Sequence, residues 1–183
     1  MTAYFSARQW VPFPVELVFA FFANPANLPH LMPPRMKARI ESVDFQAPPP
    51  RPQASEATRR FRSVAAGVGS EILISFQPIA WVPRRLGWSA RITDFEWNSH
   101  FCDEQTAGPF AVFRHRHGIV EELQDGAEGT QVSDEIEFEL PFGWAGRTAV
   151  PFAQWQMGRL FAYRQKRLPE VLAAAQAQAI RRG

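Results

Sequence analysis

The sequence predicts an α+β protein in which a curved antiparallel sheet of six to seven strands wraps around a long C-terminal helix, with two short helices after the first strand. Three observations lead there. Short runs of two-residue alternation, punctuated by turn residues, fill the middle of the chain. The clearest of them places Thr130, Val132, Asp134, Ile136, Phe138 and Leu140 on one face and Gln131, Ser133, Glu135, Glu137 and Glu139 on the other. The acidic face belongs to solvent, so the face carrying Asp134 points inward. From about Thr148 the period changes, and Met157, Leu160, Phe161, Arg164, Leu168 and Val171 form a helical stripe. A meander of this length cannot bury one face against two short helices alone, so the last helix must cover it.

Each element follows in order. Tyr4 to Val11 reads as a strand that Pro12-Phe13-Pro14 breaks. Val15 to Phe22 is a short helix entered through Pro14, with Leu17/Phe21 and Val18/Phe22 paired at helical spacing. Asn24 to Pro29 closes it and leaves room for one further turn before Pro33-Pro34. Lys37 to Phe45 returns to a strand, and the four prolines within Ala47 to Ser55 mark a surface loop. Gly67 to Phe76, Trp88 to Trp97, Ser99 to Gln105, Gly108 to Leu123 and Thr130 to Leu140 are the remaining strands. Asp125-Gly126 and Glu128-Gly129 mark a hairpin turn before the last of them. Pro169 lies inside the long helix and predicts a kink or break near Leu168, because an interior proline costs about 3 kcal/mol.

At 183 residues the chain suits one domain, 1–183, with a sizeable core. Sixteen Phe and six Trp against two Tyr supply apolar area with few polar handles, as a thick core or the wall of an apolar pocket requires. Twenty basic residues against eighteen acids are spread along the chain without a basic stripe, which argues against nucleic-acid binding. The lone Cys102 permits no intrachain disulfide, and no stretch is apolar enough for a membrane span. With no signal-like N-terminus, a cytoplasmic protein is expected. Gly-x-Ser-x-Gly and phosphate-loop motifs are absent from the sequence. The apolar stretch Ile79 to Pro83 beside Arg84-Arg85 reads as a loop packed inward, a lid, or a contact for a membrane surface or protein partner.

The segments Phe101 to Phe110, Phe113-Arg-His115-Arg-His117, Thr130 to Asp134, Leu140-Pro-Phe-Gly143 and Phe161-Ala-Tyr-Arg164 together resemble one branch of the START-like (SRPBCC) helix-grip superfamily. Pro14 to Phe19, followed by Asn24 to Leu28, is similar to that superfamily's first helix and the turn after it. The resemblance spans nearly the whole chain. It departs from the pattern at Phe113, where Trp is expected, and in the proline-rich loop around Pro48 to Pro52. It implies a ligand cavity between sheet and long helix. Members include lipid and steroid carriers, polyketide cyclases and hydroxylase domains with metal centres. A hydrophobic or amphipathic small molecule is therefore the expected partner: a lipid, polyketide or aromatic metabolite.

The inward faces also carry polar residues. Phe113, His115 and His117 share one strand face, Asp134 lies among Val132 and Ile136 on the next, and Arg164 sits between Leu160 and Leu168 on the inner side of the helix. Phe101, Asp103 and Gln105 make a third candidate face. With Ile136, Phe138, Leu160 and Phe161 these residues are the expected pocket lining. An inward charge needs a partner, so Asp134 and Arg164 should pair, with the imidazoles filling the remaining hydrogen-bond sites. Such a network would pin the helix on the sheet, orient the polar end of a guest, or supply His115 or His117 with Asp134 as a general acid–base pair for a cyclase- or dehydratase-like reaction. His115, His117 and Asp134 also make up a two-histidine, one-carboxylate set. His-x-His on a strand is a weak metal signal, however, and no metal or other cofactor is expected. Cys102 alternates away from Phe101 and Asp103, which argues against a cavity nucleophile.

Overall fold

The computed structural model describes residues 2–52, 63–77 and 84–182. Seven strands form one antiparallel sheet: β1 Ala3–Val11, β2 Arg39–Asp44, β3 Glu71–Phe76, β4 Leu86–Glu96, β5 His100–Ala107, β6 Val112–Gln124 and β7 Ala127–Glu139. Their order across the sheet is β1-β7-β6-β5-β4-β3-β2, a meander with the first strand laid against the last. Helix α1, Val15–Phe22, follows β1, and two 3-10 segments, Pro25–Leu31 and Pro34–Met36, follow α1. The first 3-10 segment is longer than the single turn expected. Pro25 starts it and the Asn24 side chain accepts the Ala26 N–H at 3.1 Å, satisfying a donor that the tight helix leaves free. The predicted loop at Ile79 to Pro83 lies outside the described residues.

The β6–β7 hairpin turns on Asp125 and Gly126, both at positive φ, the geometry a two-residue hairpin loop requires. Gly129 is no part of the turn. It sits inside β7 opposite Glu122, and a Cβ there would collide with the Trp10 indole laid across it. The glycine is thus a close-approach residue, and Trp10 Nε1 reaches over it to donate to the Glu122 carbonyl at 3.1 Å.

After β7 comes a short helix that the sequence did not disclose, α2, Gly143–Thr148, entered through positive φ at Phe142 and Gly143. Helix α3 then runs from Val150 to Arg182 and continues unbroken through Pro169. The physical reason lies across the fold. Proline at 169 removes the N–H that would bond the Gln165 carbonyl, and the Gln9 side-chain amide donates to that carbonyl instead, at 2.8 Å. Leu168 and Leu172, both fully buried, anchor the helix on either side. Gln165 donates back to the Arg8 carbonyl at 3.1 Å, and Gln154 to the Tyr4 carbonyl at 2.8 Å. Two outer carbonyls of β1, an edge strand, are thereby covered by helix side chains.

Gln9→Ala should therefore cost about 1–2 kcal/mol, the penalty of a half-buried carbonyl left without its donor. In a Pro169→Ala background, where the residue-169 N–H returns, the same change should cost clearly less. Urea unfolding of the four proteins of this cycle measures the difference, and equal costs in both backgrounds would remove the explanation.

Two apolar clusters lie between sheet and helices. One joins α1, Phe95, Phe101, Ile119 and Val132 to Leu168 and Leu172; the other gathers Phe113, Ile136, Phe138 and Phe161. The boundary between them is visible on every element that crosses it. His115 and His117 lie between Phe113 and Ile119 on β6, Asp134 between Val132 and Ile136 on β7, and Arg164 between Phe161 and Leu168 on α3.

Candidate functional site

Strand register assembles this polar belt. His117 stands opposite Asp134 across β6–β7 and opposite Phe101 across β5–β6, while His115 stands opposite Asp103. His115, His117, Asp134 and Arg164 are all buried, and Asp103 is half-buried. His115 Nε2 and Asp134 Oδ1 are 2.9 Å apart, and His117 Nε2 and Asp103 Oδ2 are 3.0 Å apart. His117 Nδ1 and Arg164 Nη2 each lie 3.1 Å from Asp134 Oδ1. Both contacts are ionic only: neither nitrogen has a hydrogen-bond partner, although both atoms are fully buried. One carboxylate oxygen thus faces three donors and meets only His115 along a hydrogen-bond direction.

Aromatic rings enclose the belt. Phe101 stacks on His117 at 4.3 Å between centroids, and the two imidazoles lie 3.7 Å apart. The Arg164 guanidinium is held over the rings of Phe22 at 4.7 Å and Phe161 at 5.2 Å. A planar cation suits this position, since it stacks on rings while its edge faces the carboxylate.

The environment sorts the protonation states. Burial alone would raise the Asp134 carboxyl, but the Arg164 charge and the two imidazoles outweigh it and hold the group well below the usual carboxylate range. Asp103 is lowered for a similar reason, with the His117 hydrogen bond and the neighbouring charges overcoming burial. The histidines divide. Burial and the neighbouring His117 charge lower His115, whereas two carboxylates overcome burial and raise His117. The two neighbouring imidazoles are thus shifted in opposite directions.

Of the expected pocket residues, the structure brings Phe101, Asp103, Phe113, His115, His117, Asp134, Phe161 and Arg164 together, with Ile136 and Phe138 packed next to them. Gln105 is engaged elsewhere: its amide donates to the Phe110 carbonyl at 2.8 Å and clamps the β5–β6 connection. Leu160 is half-buried and belongs to neither apolar cluster. Asp103 is more central than the sequence indicated, holding His117 as firmly as Asp134 holds His115. Its signal was the alternation it shares with Phe101. Cys102 faces away, fully buried opposite Asp94 and Arg116, and burial pushes its thiol up, away from the reactive thiolate. A groove of about 540 Å³ opens elsewhere, among residues including Phe45, Pro48, Val64 and Trp97. Trp97, Phe19 and Phe101 form a line of touching rings from that groove to His117.

Solved structures share this fold. The crystal structure of TTHA0849 from Thermus thermophilus matches with a TM-score of 0.59 at 18% identity, over 94% of this chain and 99% of that one. The crystal structure of Ara h 8.0201 matches with a TM-score of 0.51 at 14% identity, over 92% of this chain and 99% of that one. The chain has a helix-grip fold. No family model matches the sequence, and no curated protein does. At these identities the likeness is one of fold. Among the described residues, no helix of this helix-grip fold is long and apolar enough to cross a membrane.

Proposed function

We propose that this helix-grip domain binds a hydrophobic small molecule whose polar end carries an oxygen acceptor, seated at the Asp134–Arg164 end of the belt. The observation behind it is the pair of buried donors, His117 Nδ1 and Arg164 Nη2, that converge on Asp134 without a directed hydrogen bond. Such donors are costly to leave unmet, and a guest carboxylate or carbonyl oxygen would meet both. The surrounding Phe rings suit the apolar remainder of the guest, and helix-grip folds commonly bind hydrophobic ligands.

A thermal-shift series tests the reading, using medium-chain fatty acids, aromatic carboxylic acids and hydrocarbon analogues that lack the oxygens, with the chain kept in chelator. A ligand present at 100 times its Kd adds about 2.7 kcal/mol. In a domain of this size that raises Tm by about 5–11 °C. The oxygenated ligands should shift the wild type and shift Arg164→Lys much less. Equal shifts from acids and hydrocarbons, or none across the panel, would sink the proposal.

A further inference from the structure

We infer that Asp103, His115 and His117 form a binding site for a divalent first-row transition-metal ion, with Asp134 as the outer carboxylate that orients both imidazoles. One ligand atom from each of the three residues lies within 4.8 Å of the others. The sequence pointed to Asp134 as the carboxylate of such a set, and the geometry replaces it with Asp103.

The hydrogen bond to Asp134 fixes the tautomer of His115. His115 Nε2 donates to Asp134 Oδ1, so its Nδ1 carries a lone pair, and that nitrogen faces Asp103 Oδ2 at 4.0 Å. His117 presents Nδ1 to Asp134 at 3.1 Å and Nε2 to Asp103 Oδ2 at 3.0 Å. The His117 hydrogen bond runs from Nε2 to Asp103 Oδ2; an ion that displaces this proton leaves His117 protonated on Nδ1, and the three atoms facing one another are then two imidazole lone pairs and a carboxylate oxygen. A single proton can bridge His117 to Asp103 but leaves the His115 lone pair facing an anion. A cation between the three satisfies them together. Metal–nitrogen and metal–oxygen bonds of about 2.0–2.2 Å place neighbouring ligands about 3–3.5 Å apart. The separations of the two imidazoles from Asp103, 3.0 and 4.0 Å, bracket that range, and with all three atoms within 4.8 Å of one another the set closes by His115 drawing in toward Asp103 and His117.

The outer layer fits as well. Metal-bound histidines usually donate their second N–H to a carboxylate, and Asp134 faces both candidates. The buried His117 Nδ1, without a directed partner, gains a defined role as the proton-bearing side of a ligand. Arg164 neutralises Asp134 and keeps it in the outer layer. Imidazole and carboxylate donors select ions such as Zn²⁺, Fe²⁺ or Co²⁺ over Mg²⁺ and Ca²⁺. Three protein ligands leave positions open for water or a guest oxygen.

The experiment uses the full chain, stripped with chelator and titrated with Co²⁺ and then Zn²⁺. We expect one ion per chain by elemental analysis, visible d–d absorption with Co²⁺ and its loss on Zn²⁺ exchange. Asp103→Asn, close in shape to the native residue, should weaken Zn²⁺ binding at least ~100-fold, and Asp134→Asn about 10–100-fold. Cys102→Ser should change nothing. Nitrogen NMR of the wild type, which needs no variant, should show the His115 and His117 ring resonances moving with Zn²⁺ while His30 and His100 stay. Sub-stoichiometric metal, wild-type affinity in Asp103→Asn, or movement confined to His30 or His100 would overturn the site. The thermal-shift series is run in chelator, so its outcome stands or falls independently.

Discussion

Asp134→Ala is expected to lower the stability of the chelator-treated chain by about 3–5 kcal/mol, the usual cost of removing one partner from a buried ion pair. For a chain of this length each kcal/mol is worth about 2–4 °C, so Tm should fall by roughly 6–20 °C. The substitution strands the Arg164 guanidinium between two phenyl rings, takes the hydrogen-bond acceptor from His115 and removes the charge that faces His117. Arg164→Met should cost less, because His115 still donates to Asp134 and His117 still faces it. The double variant should cost less than the sum of the two, since the charges leave together. Urea unfolding measures all four proteins, and a loss below about 1 kcal/mol for Asp134→Ala would show the belt to be energetically idle.

Leu172→Ala should cost about 2–5 kcal/mol, because the side chain is fully buried against the α1 cluster and its loss leaves a cavity. Leu160→Ala should cost under about 1 kcal/mol, because that side chain is half-buried and outside both clusters. The contrast tests where the inner stripe of α3 lies. Similar costs at the two positions would contradict the packing described above.

This pair also shows how far a local pattern reaches. A 3.6-residue period locates the inner face of α3 to within one side chain: its stripe takes in Leu160, which is half-buried, and stops at Val171, one residue short of the fully buried Leu172. The β-strand period of two is less forgiving and therefore more informative. It put His115, His117 and Asp134 on one face, and the turn at Asp125–Gly126 set the register that brings His117 opposite Asp134. The missed features all depend on partners distant in sequence. Nothing near Pro169 foretells that Gln9 will cap the Gln165 carbonyl, and nothing near Gly129 foretells that Trp10 will lie on it. Asp103 was recognised as inward, but its two-histidine contact needs the β5–β6 register, for which the sequence around the Gly108 turn offers no two-residue hairpin signal.

The meander has a consequence for the chain during synthesis. Within this sheet β1 leaves the ribosome before the other strands and β7 after them, with more than half of the 183 residues between paired positions. At about 5–20 residues per second, β1 waits some 6–24 s before its neighbour exists. Over that interval its backbone groups lack a sheet partner, and the Gln9 and Trp10 side chains have neither Gln165 nor Glu122 to bond. The β2–β6 strands can pair as they emerge, so the nascent protein grows as a sheet with its opening segment held in reserve. Completion of the sheet is a late event, in which β7 and the long helix capture β1 from both sides.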